Sequence, residues 1–202
     1  IGHYTQNLKN LKKFFYKLLW IKFPIYSSIV VTTISKFSKN QILKILKKKY
    51  QIKVIPCCFR KELKYSKRKI NKHKLKILFI GTGKNKNLKS LINTAKFTNW
   101  KITIVGKISL NDQFFLKKYK IQYQNFVNLS FKEIVNIYKA NDILCFISLH
   151  EGFGLPIIEA QKTGMPVVAS NIEPIKSVAG NGALLVNPMK PKDIKKKYFK
   201  NC

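Results

Sequence analysis

The stretch ILCFISLHEGFGLPIIEAQKTGMPVVAS, residues 143–170, contains a complete strand–loop–helix–strand unit. The apolar run at 143–147 predicts a buried strand, and PVVAS at 166–170 predicts a second one. Pro156 suits the first turn of a helix, where its missing N–H is no loss, and Gly164 suits the end of that helix. Two buried strands joined by one helix predict a parallel pair in a sheet.

The same alternation continues outward in both directions. Strands are predicted at 29–34, 53–56, 76–80, 101–105, 123–127, 143–147, 166–170 and 183–186. Helices are predicted at 7–22, 38–46, 88–95, 111–119, 130–138 and 156–162. The fold class is therefore α/β: a Rossmann-like, doubly wound parallel sheet, plus a partial second α/β domain. Sheets of this kind bind ligands beyond the carboxyl ends of their strands.

The most basic segment of the chain suggests a domain boundary. Residues 60–75 hold eight basic residues and one acid, with few apolar residues, which predicts a linker. It would join a first domain at 1–59 to a second at 76–202. Because the chain begins without Met and ends abruptly, we expect a fragment: 1–59 would be the C-terminal remnant of its domain, and 76–202 would be truncated at the C-terminus.

The charge of the chain is strongly positive and unevenly distributed. The formal net charge is +32, of which +25 lies in residues 1–101. Such a chain is attracted to polyanions, either nucleic acid or an anionic membrane surface. However, Lys outnumbers Arg 38 to 2, whereas specific readers of phosphate and guanine favour the two-pronged Arg. A solvated lysine-rich surface is the simpler interpretation, and nucleic acid is the less favoured partner.

The N-terminal helix at 7–22 allows two interpretations. Its apolar residues recur at helical spacing with lysines between them, so it could lie on an anionic bilayer or dock on its own domain. No apolar run reaches the ~18–20 residues of a membrane-spanning helix. The four cysteines lack metal or redox spacing and fit a reducing cytoplasm.

Several common kinds of site are missing from the sequence. Gly81-Thr-Gly83 lacks the third glycine of the dinucleotide fingerprint, and the P-loop pattern does not occur. No Asp-x-Asp pair is available for a divalent cation, and the three histidines have no ligand spacing. We therefore expect no metal.

Two of only eight acidic residues, Glu151 and Glu159, flank the predicted start of the helix after 143–147. A helix N-terminus attracts phosphate, glycines allow close approach, and carboxylates accept hydrogen bonds from sugar hydroxyls. This arrangement suits a sugar diphosphate. The alternative is that Glu159 complements the helix dipole and Glu151 is a solvated loop residue.

These residues carry a family resemblance. ISLHEGFGLPIIEA at 147–160, followed by GMPVVAS at 164–170, resembles the donor-site signature of retaining glycosyltransferase family 4. FIGT at 79–82 with Lys86-Asn87 resembles the first donor-domain loop of that family, and the likeness covers most of the chain. The resemblance implies the GT-B architecture, in which two Rossmann-like domains enclose the active site.

The resemblance also implies roles for individual residues. Glu151 would contact the transferred sugar, Glu159 the ribose, and Lys86 the leaving diphosphate. The implied catalytic residues are Glu151 and Lys86. The implied substrate-binding residues are Gly81, Thr82, Lys86, Glu151, Gly152, Phe153, Gly154, Leu155 and Glu159. No cofactor or metal is implied. Thr82 and Cys57 depart from the family pattern, which has Arg and Asn at these places.

The function implied is a retaining hexosyltransferase that moves a sugar from a nucleotide-diphosphate sugar to a glycan or lipid-linked acceptor. For a fragment, two outcomes stay open: transfer of the sugar, or binding of the donor without transfer. Two alternatives stay open: a sugar-nucleotide epimerase or phosphorylase of the same fold, and a basic binding module for nucleic acid or anionic membrane. The expected location is the cytoplasm, with peripheral attachment to the inner face of the membrane as a further expectation.

Overall fold

The computed structural model describes residues 10–47, 50–71 and 74–200. The chain forms two compact units, Ile1–Cys58 and Phe59–Cys202. The division lies one residue before the predicted end of the first domain. The segment predicted as a linker, 60–75, groups instead with the second unit, where its Leu63 is almost completely buried.

The first unit is a short strand–helix–strand motif preceded by a helix. Its elements are α1 (Asn10–Lys17), a π-helical turn (Leu18–Lys22), α2 (Phe23–Tyr26), β1 (Val31–Thr33), α3 (Lys36–Leu46) and β2 (Ile52–Val54). The two strands pair in parallel, with Val31 opposite Ile52. The start of the helix predicted at 7–22 lies outside the described residues, and its end is at Tyr26.

Helix α3 begins earlier than its sequence pattern predicts. The pattern suggests that Ser38 caps the helix, but the capping residue is Ser35, whose hydroxyl accepts the N–H of Ser38 at 3.0 Å. Ser35 has the extended backbone that a capping residue requires, while Ser38 lies within the first turn. The predicted start is therefore wrong by one turn.

The second unit contains a six-stranded sheet. Its strands are β3 (Lys76–Ile80), β4 (Lys101–Val105), β5 (Gln122–Phe126), β6 (Ile143–Phe146), β7 (Val167–Ser170) and β8 (Leu184–Val186), in the spatial order β5-β4-β3-β6-β7-β8. All neighbouring strands pair in parallel. The predicted doubly wound parallel sheet is confirmed.

Helices cover both faces of this sheet. They are α4 (Leu88–Ala95), α5 (Leu110–Lys118), α6 (Phe131–Ala140), α7 (Leu155–Lys162), α8 (Ile175–Ala179) and α9 (Pro191–Lys200). Successive residues of β3 enter opposite cores: Ile77 packs with the residues of α4, and Leu78 packs with those of α6 and α7. The sequence patterns miss α8 and α9.

Local signals set several helix ends. Ser130, where the pattern predicts the helix start, forms a capping box with Glu133: Ser130 N–H donates to Glu133 Oε2 at 2.7 Å and Glu133 N–H donates to Ser130 Oγ at 3.4 Å. Hydrogen bonds to the carboxylate from the hydroxyl and the N–H of Ser130 lower the pKa of Glu133. No helix among the described residues is both long enough and apolar enough to cross a membrane.

Candidate active site

The candidate site lies where the sheet changes its winding direction. Strands β3 and β6 are neighbours, but the chain proceeds from β3 toward one edge of the sheet and from β6 toward the other. The loops that follow them, 81–87 and 147–154, therefore leave the same end of the sheet side by side. In doubly wound sheets this switch point is the usual place for a ligand.

The two loops meet in an ion pair. Lys86 lies on a 3₁₀ turn, Lys84–Lys86, and its Nζ donates to Glu151 Oε1 at 2.5 Å. The same ammonium lies 5.0 Å from the ring centre of Phe146, at the end of β6. The side chains of Lys86 and Glu151 are 22% and 14% exposed, so a ligand in solvent can reach both.

Gly81 makes room for this lysine. Its φ of 89° is in the left-handed region, and a Cβ atom there would lie 2.8 Å from Lys86 Cε. The Gly81 N–H donates to Val105 O at 2.8 Å, which fixes the turn at the end of β3. The aliphatic part of Lys86 thus passes directly over the Gly81 backbone.

Two asparagines join the loops, and the sequence reasoning assigned them no role. Asn85 accepts the Leu149 N–H at 2.7 Å through its main-chain oxygen and donates to His150 O at 3.0 Å through its side chain. Asn87 has a left-handed backbone, with φ 66°, and its amide donates to Ile147 O at 3.3 Å and to Pro188 O at 2.8 Å. The sequence signal that could have identified them is a basic turn with an asparagine on each side of Lys86.

The glycine loop ends at the start of α7. Gly152 is exposed, Phe153 and Leu155 are partly buried, and Gly154 is buried. Gly154 has φ 116°, and a Cβ there would lie 3.2 Å from Ile157 Cδ1. The loop is therefore held close to the first turn of α7, where N–H groups and the positive end of the helix dipole favour an anion.

Thr82 is turned toward the protein backbone. Its hydroxyl donates to Lys107 O at 2.6 Å, and it packs against Gly106, where a Cβ would lie 2.9 Å from Thr82 Oγ1. Thr82 therefore lies at the same switch point as Gly81, but its hydroxyl is used in a hydrogen bond that joins the loop after β3 to the loop after β4.

Glu159 lies apart from Glu151, in the interior. It is only 2% exposed, and each of its carboxylate oxygens has a partner. Arg60 pairs with Oε1, and the Tyr138 hydroxyl donates to Oε2 at 2.7 Å. The structure therefore brings seven of the predicted site residues to the loops at the switch point, one to the first turn of α7, and Glu159 to a buried cluster within α7.

The buried cluster keeps Tyr138 protonated. Burial, together with the negative charge of Glu159, raises the pKa of Tyr138 well above its usual range. A phenol held in this form is a permanent donor to Glu159.

The site as a whole combines a positive end, formed by Lys86 and the start of α7, with a carboxylate that faces solvent. It can neutralise a diphosphate and accept hydrogen bonds from sugar hydroxyls. Within the described residues, no group of three His, Cys, Asp or Glu side chains is placed to hold a metal ion.

Comparison with known proteins gives a family match. The protein family model for glycosyl transferases group 1 matches residues 60–199. An uncharacterized 41.2 kDa protein in the cps region of Klebsiella pneumoniae is 33% identical over 131 residues, which covers 61% of the chain and 36% of that protein. The O-antigen chain mannosyltransferase RfbU of Salmonella typhimurium is 43% identical over 60 residues, covering 30% of the chain and 17% of RfbU.

Solved structures share the fold. Sucrose-phosphate synthase from Thermosynechococcus elongatus superposes with a TM-score of 0.77 at 18% identity, covering 95% of this chain and 52% of that one. HepE of Anabaena, in complex with UDP and glucose, superposes with a TM-score of 0.75 at 16% identity, covering 90% and 56%. The chain thus spans about half of these structures, and it covers 36% and 17% of the two curated relatives above.

Proposed function

Because this chain belongs to the glycosyl transferases group 1 family, we propose that it binds a nucleotide-diphosphate sugar and transfers the sugar to a hydroxyl of a glycan or lipid-linked acceptor, with retention of configuration. The ion pair between Lys86 and Glu151 supports this most directly. It places one cation and one carboxylate at the switch point of the sheet, beside the start of α7.

The proposed reaction breaks the bond between the anomeric carbon and a diphosphate oxygen and forms a bond to the acceptor oxygen. The acceptor proton leaves with the diphosphate or with water. Negative charge grows on the diphosphate as its bond breaks, so Lys86 and the N-terminus of α7 stabilise the transition state more than the ground state. Under this proposal they take the part that a metal plays in other transferases.

Glu151 has the complementary part. When diphosphate binds Lys86, Glu151 loses its internal partner and turns to the sugar, where it accepts hydroxyl hydrogen bonds and opposes positive charge at the anomeric carbon. The choice of first donors follows the relatives: RfbU is named a mannosyltransferase, and HepE was solved with UDP and glucose. Donors that carry mannose or glucose are therefore the first to test.

The test uses two lysines of the same 3₁₀ turn. We expect calorimetric titration with UDP and GDP to show binding by the wild type, and Lys86→Ala to bind about tenfold or more weakly, as for a lost charge-assisted contact. Lys84→Ala, which removes an exposed charge two residues away, is the matched control and should bind nearly as the wild type does. Equal loss in both variants would indicate bulk charge attraction, and no binding by the wild type would refute the proposal.

Retention is tested by incubating the protein with a panel of sugar donors and acceptors. NMR of the product then gives its anomeric configuration, which should be that of the donor. The epimerase or phosphorylase alternative predicts an isomerised nucleotide sugar or a sugar phosphate instead. Product analysis with labelled donor distinguishes all three.

We propose in addition that the first unit attaches to an anionic membrane surface. Residues 1–58 contain twelve lysines and no acid. The π-helical turn at Leu18–Lys22 adds one residue to the spacing, so that Tyr16, Ile21 and Ile25 follow one another on the core side. The same helical segment carries exposed apolar residues: Leu11, Phe14, Phe15, Leu18, Leu19, Trp20, Phe23 and Tyr26.

An exposed apolar face between lysines fits the interface of a bilayer with negative lipids. Flotation with vesicles of phosphatidylglycerol and phosphatidylcholine should recover the chain, and phosphatidylcholine alone should recover much less. The double variant Phe14→Ser/Phe23→Ser keeps the charge and should lose most of the binding. Undiminished binding by the double variant, or equal binding to RNA, would favour the general polyanion alternative.

A further inference from the structure

The two arginines of this chain stand out against its 38 lysines. Both lie in one segment, residues 59–71, which we call the strap. The strap belongs to the second unit, and each arginine binds that unit through its guanidinium group.

Arg60 holds the buried carboxylate. It pairs with Glu159 Oε1, and its guanidinium carbon lies 5.7 Å from the ring centre of Phe131 at the start of α6. The other oxygen, Oε2, is held by Tyr138, which is completely buried. The Arg60 side chain is 35% exposed, so of the two groups that hold this carboxylate Arg60 is the one that solvent reaches.

Arg68 holds the C-terminal end of α6. It donates to Tyr138 O at 2.9 Å, to Asn141 O at 2.5 Å and to Thr163 Oγ1 at 3.1 Å. The last carbonyls of a helix have no partners within it, and the negative end of the helix dipole favours a cation there. Tyr138 is thereby fixed at its main chain by Arg68 and connected through its hydroxyl to Glu159.

The rest of the strap follows the C-terminal end of α7. Leu63 is buried at 1% exposure, and Ser66 N–H donates to Thr163 O at 3.3 Å. The Tyr65 ring lies so close to Gly164 that a Cβ there would be 2.6 Å from Tyr65 Cε2. The contacts from Arg60 to Arg68 therefore attach the strap to the helix that carries Glu159.

Lysine could not replace either arginine without loss. Arg68 reaches acceptors on two elements with one planar group, and Arg60 combines an ion pair with a position over an aromatic ring. An ammonium is a compact point charge without this planar arrangement of donors. In a sequence that otherwise uses lysine for nearly every basic residue, both exceptions are found where the guanidinium geometry is used.

We propose that Arg60 is a positioning residue for the nucleotide: it fixes the Glu159 carboxylate, and Arg68 fixes the strap that carries Arg60. Because Tyr138 and Glu159 are buried, a nucleotide that approaches this group of side chains meets Arg60 first, and Arg60 sets the orientation of Oε1. This inference rests on the proposed function for its ligand, while the attachment of the strap stands on the contacts alone.

The experiment compares Arg60→Lys with Arg68→Lys, the same change twice in one strap, in titrations with UDP and GDP. We expect Arg60→Lys to weaken binding about tenfold, the size of one charge-assisted hydrogen bond. In a Glu159→Gln background the same change should weaken binding no further, because Arg60 acts through Glu159. Arg68→Lys should lower the melting temperature at least as much as Arg60→Lys does, but it should change the affinity for UDP and GDP less.

Two results would overturn the proposal. One is wild-type affinity in Arg60→Lys. The other is full additivity of Arg60→Lys and Glu159→Gln, which would show that Arg60 acts independently of the carboxylate.

Hydrogen exchange separates this proposal from the proposed function. If the wild type binds no nucleoside diphosphate, the proposed function fails and Arg60 has no nucleotide to serve. Faster amide exchange over residues 59–71 in Arg60→Lys would then still support its attachment of the strap, and unchanged exchange would refute that as well.

Discussion

The loop before α7 and the middle of α7 each contain a glutamate paired with a basic residue, but in opposite surroundings. Glu151 is 14% exposed by side chain and pairs with a lysine from the neighbouring loop. Glu159 is 3% exposed by side chain, and an arginine and a buried tyrosine occupy its two oxygens. The first pair is open to exchange with a ligand, whereas the second is part of the packed structure.

Two glutamates eight positions apart in the sequence therefore have different roles: Glu151 is available for chemistry, and Glu159 contributes to stability. A partly exposed ion pair contributes about 0–1 kcal/mol to folding, so Glu151 is available for function at little cost. A buried carboxylate that loses its partners is strongly unfavourable, so Glu159 is constrained by the fold before any ligand arrives. Mutations that affect the two glutamates differently can test this comparison.

The largest effect should come from Glu151→Gln. We expect sugar transfer from the donor to fall about 100-fold or more, as when one preorganised charged group is removed from a transition state. The melting temperature should change little. Initial rates with labelled donor and a thermal melt of the same sample measure both, and an active variant would show that Glu151 is not the functional member of the pair.

The next effect is on stability. Glu159→Ala should lower the free energy of unfolding by about 2–3 kcal/mol, since it leaves the Tyr138 hydroxyl and the Arg60 guanidinium without their acceptor. Glu151→Ala, its matched control, should cost less than about 1 kcal/mol. Urea unfolding of the two variants gives the difference, and equal values would remove the contrast between the two carboxylates.

A smaller effect is expected from Gly81→Ala. The added Cβ would press on the Lys86 side chain, and the backbone would be strained by about 1–2 kcal/mol. Gly180→Ala is the control, because Gly180 also has a positive φ but nothing within 4 Å of a Cβ. Both variants should be less stable, but only Gly81→Ala should bind UDP or GDP more weakly; equal affinities would show that Lys86 is not the anion contact.

The smallest effect concerns Tyr138→Phe and depends on pH. At neutral pH the loss of one hydrogen bond should cost about 1 kcal/mol. The pKa of Tyr138 is raised from its usual 10.0 in the folded chain, so above pH 10 the unfolded wild type ionises this phenol while the folded chain keeps its proton. The stability contributed by Tyr138 is thus complete below pH 10 and declines above it.

Denaturant unfolding of Tyr138→Phe and wild type between pH 8 and pH 11 tests this, and the gap should narrow at the alkaline end. A gap that stays constant would mean that the phenol ionises equally in both states.

The sheet and the glycine loop could be predicted from sequence because their signals are local. Most strands of the six-stranded sheet are short apolar runs, although β5 is mostly polar, and Pro156 and Gly164 mark the ends of α7 within a few residues. The strap could not, because Leu63 has lysines on both sides in the sequence and Glu159, the partner of Arg60, lies 99 positions further along the chain. Likewise, nothing next to Glu159 indicates Arg60, and Tyr138 has the spacing of an ordinary core residue.

The helices at the end of the chain were missed for a related reason. Helix α8 has five residues, and α9 carries mostly lysines, so neither shows an apolar stripe. Their positions follow from packing against β7 and β8, which is a tertiary effect.

The hydrogen bonds of Asn85 and Asn87 have a consequence for redesign. Because they bind Ile147, Leu149 and His150 by main-chain and side-chain contacts, the loop after β3 and the loop after β6 form a single module. A chimera that takes one loop from a relative with another donor would leave these amides unmatched. Donor preference should therefore be transferable only when segments 81–87 and 147–154 are exchanged together.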